Sequence, residues 1–383
     1  MVPPPRAARC FDLAGRATLV LDELDDDALR TVVAQLDPFA PRTATGAGDV
    51  VLAACPRGGS VQLLELHNPA GDGTVTGWDG EALHLRLGDR WCRLPDLLSA
   101  GPLRFELEAG FPLARAFAGL VRPALQIALL RHGHVAVHGT AVELDGRGVV
   151  IAGWSESGKT ETALALMERG AGFLSDKWTV LGEDGTLTAF PIGVGVRRWV
   201  LPHLPRLSAA LPRTARVQFA AAAVADASSR PLRARARGRV GGLLADAAGR
   251  AITLADRVAL SPTQVRRAYG QVDDPARRVP AGCLAMLLTV DADAVHVEAA
   301  DPAWAAERLA RSAVVERRSW FGLQQRARFA APGRTVDEDV ERIVARERAL
   351  LAAALSAARV LVVRAPFPVD PHQAADAIAR ELS

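Results

Sequence analysis

The feature that most constrains this chain is residues 153–160, Gly-Trp-Ser-Glu-Ser-Gly-Lys-Thr, which match the pattern G-x-x-x-x-G-K-[ST] at every fixed position. An apolar run at residues 149–152 precedes this segment, and residues 159–169 carry apolar side chains at helical spacing. A glycine-rich turn between a buried strand and a helix lets backbone N–H groups surround phosphate oxygens, and the helix dipole favours the anion. The segment therefore predicts a phosphate-binding loop, with a coincidental strand-to-helix turn as the alternative.

Lysine is nearly absent from the chain. Of 46 basic residues 44 are arginine, and the two lysines are Lys159, inside the loop, and Lys177. A compact ammonium fits a tight cradle in which the wider guanidinium does not. The scarcity of lysine therefore supports a specific role for Lys159, whereas for Lys177 a plain surface position remains the alternative.

Candidate site residues follow from the loop and its neighbours. Six of them are expected to bind a nucleotide: Gly153, Ser155, Ser157, Gly158, Lys159 and Thr160. Lys159 would reach the β- and γ-phosphates, and the Thr160 hydroxyl would ligate Mg²⁺. Asp176 ends an apolar strand 16 residues after Thr160, where it can ligate the metal or accept the proton of an attacking hydroxyl. Lys177 can neutralise phosphate or contact an acidic substrate group, and His138 lies on the strand before the loop, where a purely structural histidine is the alternative.

Two domains are expected from the pattern along the chain. Residues 1–125 predict a smaller β-rich N-terminal domain, with clear alternation at residues 83–87. Residues 126–383 predict an α/β domain with helices at 302–312, 336–355 and 371–382 and strands at 135–144, 283–290 and 360–363.

An arginine-rich insertion is expected near residues 203–280. Its arginines are Arg230, Arg233, Arg235, Arg237 and Arg239. The alternation from Arg233 to Arg239 is compatible with a strand that carries the charges on one face. The stretch can be a basic lid or a site for an acidic peptide, or it can be a solvated face in an arginine-biased chain.

Composition excludes several classes of protein. With 49% hydrophobic and 23% charged residues, the composition is typical of a globular protein. The sequence contains no run of about 18 apolar residues, so no membrane-spanning helix is predicted. The first residues contain no apolar stretch of the kind found in secretory signals. A net charge of +3, without aromatic residues among the arginines, predicts no nucleic-acid partner. Four scattered cysteines without C-x-x-C spacing predict a reduced, cytoplasmic chain without a zinc site.

Several of these motifs together resemble the catalytic domain of bacterial HPr kinase/phosphorylase. That family's pattern has H-G, then G-x-S-x-x-G-K-S-E-T-A-L, R-G and a strand ending in A-D-D; here His138-Gly139 stands the same 15 residues before the first loop glycine, and Glu161-Thr162-Ala163-Leu164, Arg169-Gly170 and Asp176 follow. The resemblance covers residues 134–182, under a fifth of the chain. It implies a mixed-sheet P-loop domain of the HPr kinase / phosphoenolpyruvate carboxykinase type that uses ATP and Mg²⁺. It also implies that Asp176 is the catalytic base and His138 its companion.

The chain departs from the family pattern at several positions. Lys177 stands in place of the second aspartate and Thr160 in place of the loop serine, while Trp154 and Glu156 replace Asp and Gly. The downstream signature E-x-R-G-x-G, which bears on dephosphorylation in the family, is not found. The resemblance therefore does not extend to phosphorylase activity or to HPr itself as the substrate.

The sequence predicts an ATP- and Mg²⁺-dependent kinase that phosphorylates a hydroxyl. The favoured acceptor is a serine of a peptide or protein, as in the tailoring of peptide natural products. The alternatives are a small-molecule kinase and a nucleotide-binding regulatory NTPase without a phosphoryl acceptor. Asp176 favours a kinase, because a regulator needs no base beside an acceptor. A carboxykinase-type decarboxylase would require additional metal-ligating lysine and histidine residues, which this sequence does not provide. Assembly into a homo-oligomer is left open.

Overall fold

The computed structural model describes residues 8–55, 62–68, 74–96, 101–235, 256–332 and 336–382. Within these ranges twenty strands form three sheets, accompanied by eleven α-helices and one 3₁₀ helix. This architecture confirms the expected α/β class with mixed sheets. No helix in the described ranges is long and apolar enough to cross a lipid bilayer.

The first sheet is built from the N-terminal third of the chain. Its nine strands are β1 (Arg9–Asp12), β2 (Thr18–Asp22), β3 (Arg42–Thr43), β4 (Val50–Ala54), β5 (Glu65–His67), β6 (Val75–Trp78), β7 (Leu83–Leu87), β8 (Arg90–Arg93) and β9 (Leu103–Leu107). Their order is β3-β1-β2-β4-β9-β8-β7-β6-β5, and β4 runs parallel to both β2 and β9. The strand predicted at residues 83–87 is confirmed as β7.

The second sheet contains the predicted loop. Its nine strands are β10 (His134–Val137), β11 (Gly139–Leu144), β12 (Arg147–Gly153), β13 (Gly172–Ser175), β14 (Thr179–Gly182), β15 (Thr186–Ala189), β18 (Val279–Thr289), β19 (His296–Ala299) and β20 (Arg359–Ala365), while β16 (Val194–Arg197) and β17 (Arg257–Leu260) form a separate ribbon. Strands β12, β18 and β20 are parallel neighbours. Strand β11 pairs antiparallel with both β12 and β13, so β12 and β13 point in the same direction.

The helices cover both sheets. They are α1 (Asp26–Gln35), α2 (Leu113–Ala116), α3 (Val121–Arg131), α4 (Lys159–Glu168), α5 (Pro205–Ala210), α6 (Arg213–Arg235), α7 (Pro262–Ala268), α8 (Pro302–Glu316), α9 (Arg318–Ala330), α10 (Val336–Leu355) and α11 (Pro371–Leu382), with a 3₁₀ helix at Arg198–His203. Helix α4 is apolar on nearly all sides because it is packed between the sheet and α11. The helices predicted near 302–312, 336–355 and 371–382 are confirmed.

Two cores lie on opposite faces of the second sheet. Ile151 of β12 belongs to the core that includes α4 and α11, and the adjacent Val150 belongs to the core beneath α8 and α10. A strand covered on both faces reads as a continuous apolar run, which explains residues 149–152. A third core joins the first sheet to α3 and α9, where the rings of Phe105 and Trp320 lie 5.8 Å apart.

One expectation about secondary structure is wrong. The strand predicted across residues 135–144 is interrupted at His138, because Val137 pairs with Thr179 of β14 while Gly139 pairs with Ala152 of β12. The alternation from Arg233 to Arg239 is compatible with a strand, but α6 continues through Arg235 after the alanine-rich residues 220–223, which favour a helix, and residues 236–239 lie outside the described part of the chain.

Two further expectations are not decided by the fold. Arg237 and Arg239 of the arginine-rich stretch lie outside the described residues. The expected domain boundary at residues 125 and 126 falls inside α3 and stays a prediction.

A buried ion pair fixes the junction between α8 and α9. The guanidinium of Arg317 contacts the carboxylate of Glu347 on α10, and its Nε donates to Gln126 Oε1 of α3 at 3.0 Å. Both charged side chains are 1% exposed. Burial raises the pKa of Glu347, and the nearby Arg317 opposes that shift. The contacts of Arg317 therefore tie the junction of α8 and α9 to both α10 and α3.

Removing one partner of this pair should leave an uncompensated buried charge. We expect Glu347→Ala or Arg317→Ala to lower the free energy of unfolding by about 3–5 kcal/mol, whereas the apolar double substitution Arg317→Met/Glu347→Leu should recover much of that loss. Urea denaturation measures the three variants. The exposed pair Arg348–Glu307 is the control, and Glu307→Gln should leave the denaturation midpoint almost unchanged. Equal midpoints for the wild type and both single variants would contradict this account.

Candidate functional site

Three strand ends meet at one edge of the second sheet. Gly139 begins β11, Gly153 ends β12, and Asp176 directly follows β13. The register places Gly139 opposite Ala152 and Ala141 opposite Ser175. Residues far apart in sequence are therefore brought to the edge from which the loop departs.

The loop that joins β12 to α4 is shaped by its two glycines. A Cβ atom on Gly153 would lie 2.4 Å from the carbonyl oxygen of Leu287 in β18. Gly158, just before α4, has φ +88°, and a Cβ there would lie 2.1 Å from Cγ1 of Val369. Only glycine fits these positions, because the backbone of a neighbouring strand and a stiff side chain press against the loop.

Lys159 lies buried beneath the loop. Its Nζ donates to the carbonyl oxygens of Gly153 at 3.0 Å and Trp154 at 2.6 Å. Burial lowers the pKa of Lys159, while the nearby carboxylates of Asp176 and Glu316 oppose that shift. An ammonium has three donors, so one remains for a phosphate oxygen.

The remaining loop residues divide into a buried and an exposed group. The hydroxyl oxygen of Ser157 is buried and has no hydrogen-bond partner among the described residues, as a phosphate-binding group requires. The side chains of Trp154, Ser155 and Glu156 are exposed. Glu156 has φ +64°, and its carboxylate accepts a hydrogen bond of 2.7 Å from Arg197 at the end of β16. The side chains of Ser157 and Lys159 are thus buried at the loop, whereas the Ser155 side chain is exposed to solvent.

Asp176 is the centre of the hydrogen-bonding at this edge. Its side chain is buried, and Oδ1 accepts hydrogen bonds from the hydroxyls of Thr160 at 2.8 Å and Thr140 at 2.5 Å. Thr140 was not among the residues predicted from the sequence, although its position two residues after His138 on β11 directs it to the same edge.

The oxygen atoms present fit Mg²⁺. Among the described residues, no group of three or more His, Cys, Asp or Glu side chains is placed to hold a metal ion. Mg²⁺ needs no such cage, because it is usually bound through one or two protein oxygens together with substrate phosphates and water. The hydroxyl of Thr160 and the carboxylate of Asp176 provide those protein oxygens beside the loop.

His138 lies between the sheet and α8. Its Nδ1 is 3.1 Å from the hydroxyl of Ser312, and its ring centroid is 5.2 Å from that of Trp178. Burial, with smaller contributions from Lys159 and Lys177, lowers the pKa of His138 to about 3. The imidazole is therefore neutral at ordinary pH and acts through hydrogen bonds rather than through charge.

Lys177 lies at the exposed side of the site, where its ammonium pairs with Glu316. It has φ +59°, its side chain is 45% exposed, and its Nζ lies 3.7 Å from Oε2 of Glu316. The other oxygen of Glu316 lies 4.0 Å from Nε2 of His138. Glu316 was missed by the sequence analysis, because it stands at the end of α8 and carries no motif.

The structure thus gathers His138, Lys159, Thr160, Asp176 and Lys177 at one edge of the sheet. The roles assigned to them from the sequence stay predictions.

Comparison with known proteins gives a local similarity. No protein-family model matches the chain. The HPr kinase/phosphorylases of Bacillus cereus (strain B4264) and Bacillus anthracis (strain A0248) are 37% identical to it over 78 residues, which is 19% of this chain and 25% of each relative. The protein of that name from Bacillus thuringiensis subsp. konkukian (strain 97-27) gives the same values. The chain thus matches about a quarter of the length of these curated relatives, and the similarity supports a distant relationship to them.

Proposed function

We propose that this chain is an ATP- and Mg²⁺-dependent kinase that transfers the γ-phosphoryl group to a hydroxyl. The observation that carries the proposal is the hydrogen bond from Thr160 to the buried carboxylate of Asp176. Thr160 directly follows Lys159 at the end of the glycine-containing loop. The local similarity to HPr kinase/phosphorylase supports the same chemistry. A P-loop domain of the HPr kinase / phosphoenolpyruvate carboxykinase type is the fold that we infer with it.

Each residue at the edge would then have a defined task. ATP and Mg²⁺, when bound, supply the phosphoryl group and the positive charge that balances it. Ser157 and Lys159 bind phosphate oxygens, and the oxygens of Thr160 and Asp176 hold the metal. Because Oδ1 of Asp176 accepts hydrogen bonds from both threonine hydroxyls, Oδ2 with its two lone pairs is the atom left for the metal and for the proton of the attacking hydroxyl.

The acceptor that we propose is the hydroxyl of a peptide or protein serine. The loop and Lys177 lie at the surface, so an extended segment can approach the edge without entering a closed cavity. The small-molecule kinase and the regulatory NTPase remain alternatives that one assay separates. Incubation with MgATP and a panel of serine peptides and small alcohols, followed by mass spectrometry, should show addition of a phosphate to a peptide. Formation of ADP without any phosphorylated product would favour the NTPase, and no ADP at all would contradict the proposal.

Replacement of Lys159 should abolish nucleotide use. We expect Lys159→Ala to weaken MgATP binding or turnover by at least about 100-fold, because a charge on the transferring phosphate loses its partner. Lys159→Arg should be similarly impaired, since the guanidinium cannot occupy a buried position between two carbonyl oxygens. Calorimetric titration with MgATP measures binding, and thermal denaturation checks that the fold is kept. Binding at the wild-type affinity in Lys159→Ala would contradict the phosphate-binding loop.

Replacement of Asp176 should separate binding from transfer. Asp176→Asn keeps an oxygen for the two threonine hydroxyls but removes the charge and the base. We expect it to bind MgATP and to form product about 10²–10⁴-fold more slowly. Thr140→Val, which removes the 2.5 Å hydrogen bond and keeps the side-chain volume, is the matched variant with a smaller expected loss. Product formation by Asp176→Asn at the wild-type rate would make Asp176 purely structural.

The neutral state of His138 should appear in the pH dependence of stability. Its folded pKa of about 3 lies below the ordinary 6.5, so between these values the unfolded chain binds the proton and the folded chain does not. The stabilisation is complete above pH 6.5 and is lost as the pH falls toward 3. We expect the free energy of unfolding between pH 6 and 4 to fall more steeply, by about 1 kcal/mol per pH unit, in the wild type than in His138→Gln.

Urea denaturation at several pH values measures this difference. His296→Gln, at an exposed position of β19, is the control and should follow the wild type. Parallel curves for the wild type and His138→Gln would show that His138 is not held neutral.

A further inference from the structure

The carboxylate of Glu316 lies against two of the predicted site residues, Lys177 and His138. Its Oε2 lies 3.7 Å from Nζ of Lys177 and its Oε1 lies 4.0 Å from Nε2 of His138. The side chain is 24% exposed, so it lies at the rim of the site rather than in open solvent. Ser312, one turn earlier on α8, faces the other ring nitrogen of His138 at 3.1 Å. The last turn of α8 therefore contacts both nitrogens of this ring.

The position of Glu316 is unfavourable for the helix itself. It is the final residue of α8, where the helix dipole is negative and a carboxylate is destabilising. The next residue, Arg317, is held by Glu347 and Gln126 in the buried junction, which fixes the backbone at this end of α8. The carboxylate of Glu316 is therefore held in a fixed position although the helix dipole disfavours it there. This indicates a role for Glu316 outside the helix.

The backbone of Lys177 shows a similar conflict. Its φ of +59° lies in the left-handed region, which costs a non-glycine residue about 1 kcal/mol. The surrounding structure nevertheless holds it there, between Asp176 in the hydrogen-bonded centre and Trp178 in the core. Residues kept in such conformations cluster at functional sites. From this strained turn the ammonium reaches Glu316, with Nζ 3.7 Å from Oε2.

We propose that Glu316 is a positioning residue that holds the ammonium of Lys177 and the ring of His138 on the acceptor side of the loop. This inference rests on the proposed kinase function. Lys177 introduces a positive charge beside Asp176, and Glu316 balances that charge and limits where the flexible side chain can go. In that place the ammonium can stabilise the charge that develops on the transferring phosphate.

The effect of Glu316 should fall on turnover rather than on stability or binding. A partly exposed ion pair contributes little to the free energy of unfolding. The carboxylate acts on Lys159 through its charge, but the hydrogen bonds of Lys159 to the loop carbonyls do not involve it, so the affinity for nucleotide should be largely preserved. A purely structural residue would show the opposite pattern, with a lower melting temperature and no selective loss of turnover.

The kinetic test compares Glu316→Gln with Glu307→Gln. Glu307 is on the same helix, forms ion pairs with Arg311 and Arg348, and lies away from the site, which makes it a matched control. With MgATP as the probe and ADP as the product, Glu316→Gln should lower kcat at least about 10-fold, leave the Kd for MgATP within about twofold, and leave the Tm unchanged or slightly higher. Glu307→Gln should equal the wild type. Because the pair acts as a unit, Lys177→Gln/Glu316→Gln should be no slower than Lys177→Gln alone.

A second readout does not depend on activity. The chain has only two lysines, so labelling lysine side chains with ¹⁵N gives two ammonium signals, and Lys177→Gln assigns them. The Lys177 signal should shift in Glu316→Gln and stay in place in Glu307→Gln.

The two readouts together decide the proposal. A shifted Lys177 signal with a selective loss of kcat supports it, and either an unmoved signal or an unchanged kcat in an active enzyme overturns it. If the wild type forms no ADP, the proposed function fails by itself. In that case the signal alone decides whether Glu316 positions Lys177.

Discussion

The antiparallel pairing of β11 with both β12 and β13 decides where this chain can carry out chemistry. It makes β12 and β13 parallel, so the loop after one strand and Asp176 after the other emerge at the same edge. It also directs the beginning of β11 to that edge, which places the Thr140 hydroxyl against the same carboxylate oxygen that Thr160 contacts. The hydrogen bonds at Asp176 are therefore a consequence of sheet topology, and they join the two candidate metal ligands, Thr160 and Asp176.

Charge at the site is arranged in alternation. Two ammonium groups, Lys159 beneath the loop and Lys177 at the rim, are accompanied by the carboxylates of Asp176 and Glu316. His138 lies among them and stays neutral because it is buried and because both lysines disfavour a further positive charge. Such an arrangement suits the binding of a polyanion, since each ammonium can exchange part of its interaction with a carboxylate or carbonyl for one with phosphate. The carboxylate of Glu316 on α8 lies 3.7 Å from Nζ of Lys177 and so provides a counter-charge for it.

The elements around the loop were predictable because their signals are local. The apolar run of β12, the glycines, and the periodicity of α4, α10 and α11 are all contained in short stretches of sequence. The break at His138 was not predictable, because residues 134–144 are uniformly compatible with one strand and only the partners β14 and β12 divide them. Helix α9 was missed, since only one residue separates it from α8 and it contains Gly322.

The same distinction applies to the candidate site. Lys159, Thr160 and Asp176 lie within 18 residues of one another around a motif, and the structure brings them together as expected. Thr140 and Glu316 carry no motif, and their places follow from strand register and from the packing of α8. Glu316 follows its partner Lys177 by about 140 residues in the sequence, and no local pattern predicts a contact over such a separation. The arginine-rich stretch gave no firm prediction of structure, because alternation in a short segment is a weaker signal than the helix preference of the alanines before it, and α6 continues through Arg235.

The most direct measurement is a crystal structure of the chain with Mg²⁺ and a non-hydrolysable ATP analogue. We expect the phosphates inside the loop, with Nζ of Lys159 contacting a terminal phosphate oxygen and the metal bound through Thr160 and Asp176. The ammonium of Lys177 and the acceptor-side oxygen of Asp176 should then face the γ-phosphate. A nucleotide bound elsewhere on the chain, or phosphates that contact neither Lys159 nor the loop, would contradict the assignment of this edge as a phosphoryl-transfer site.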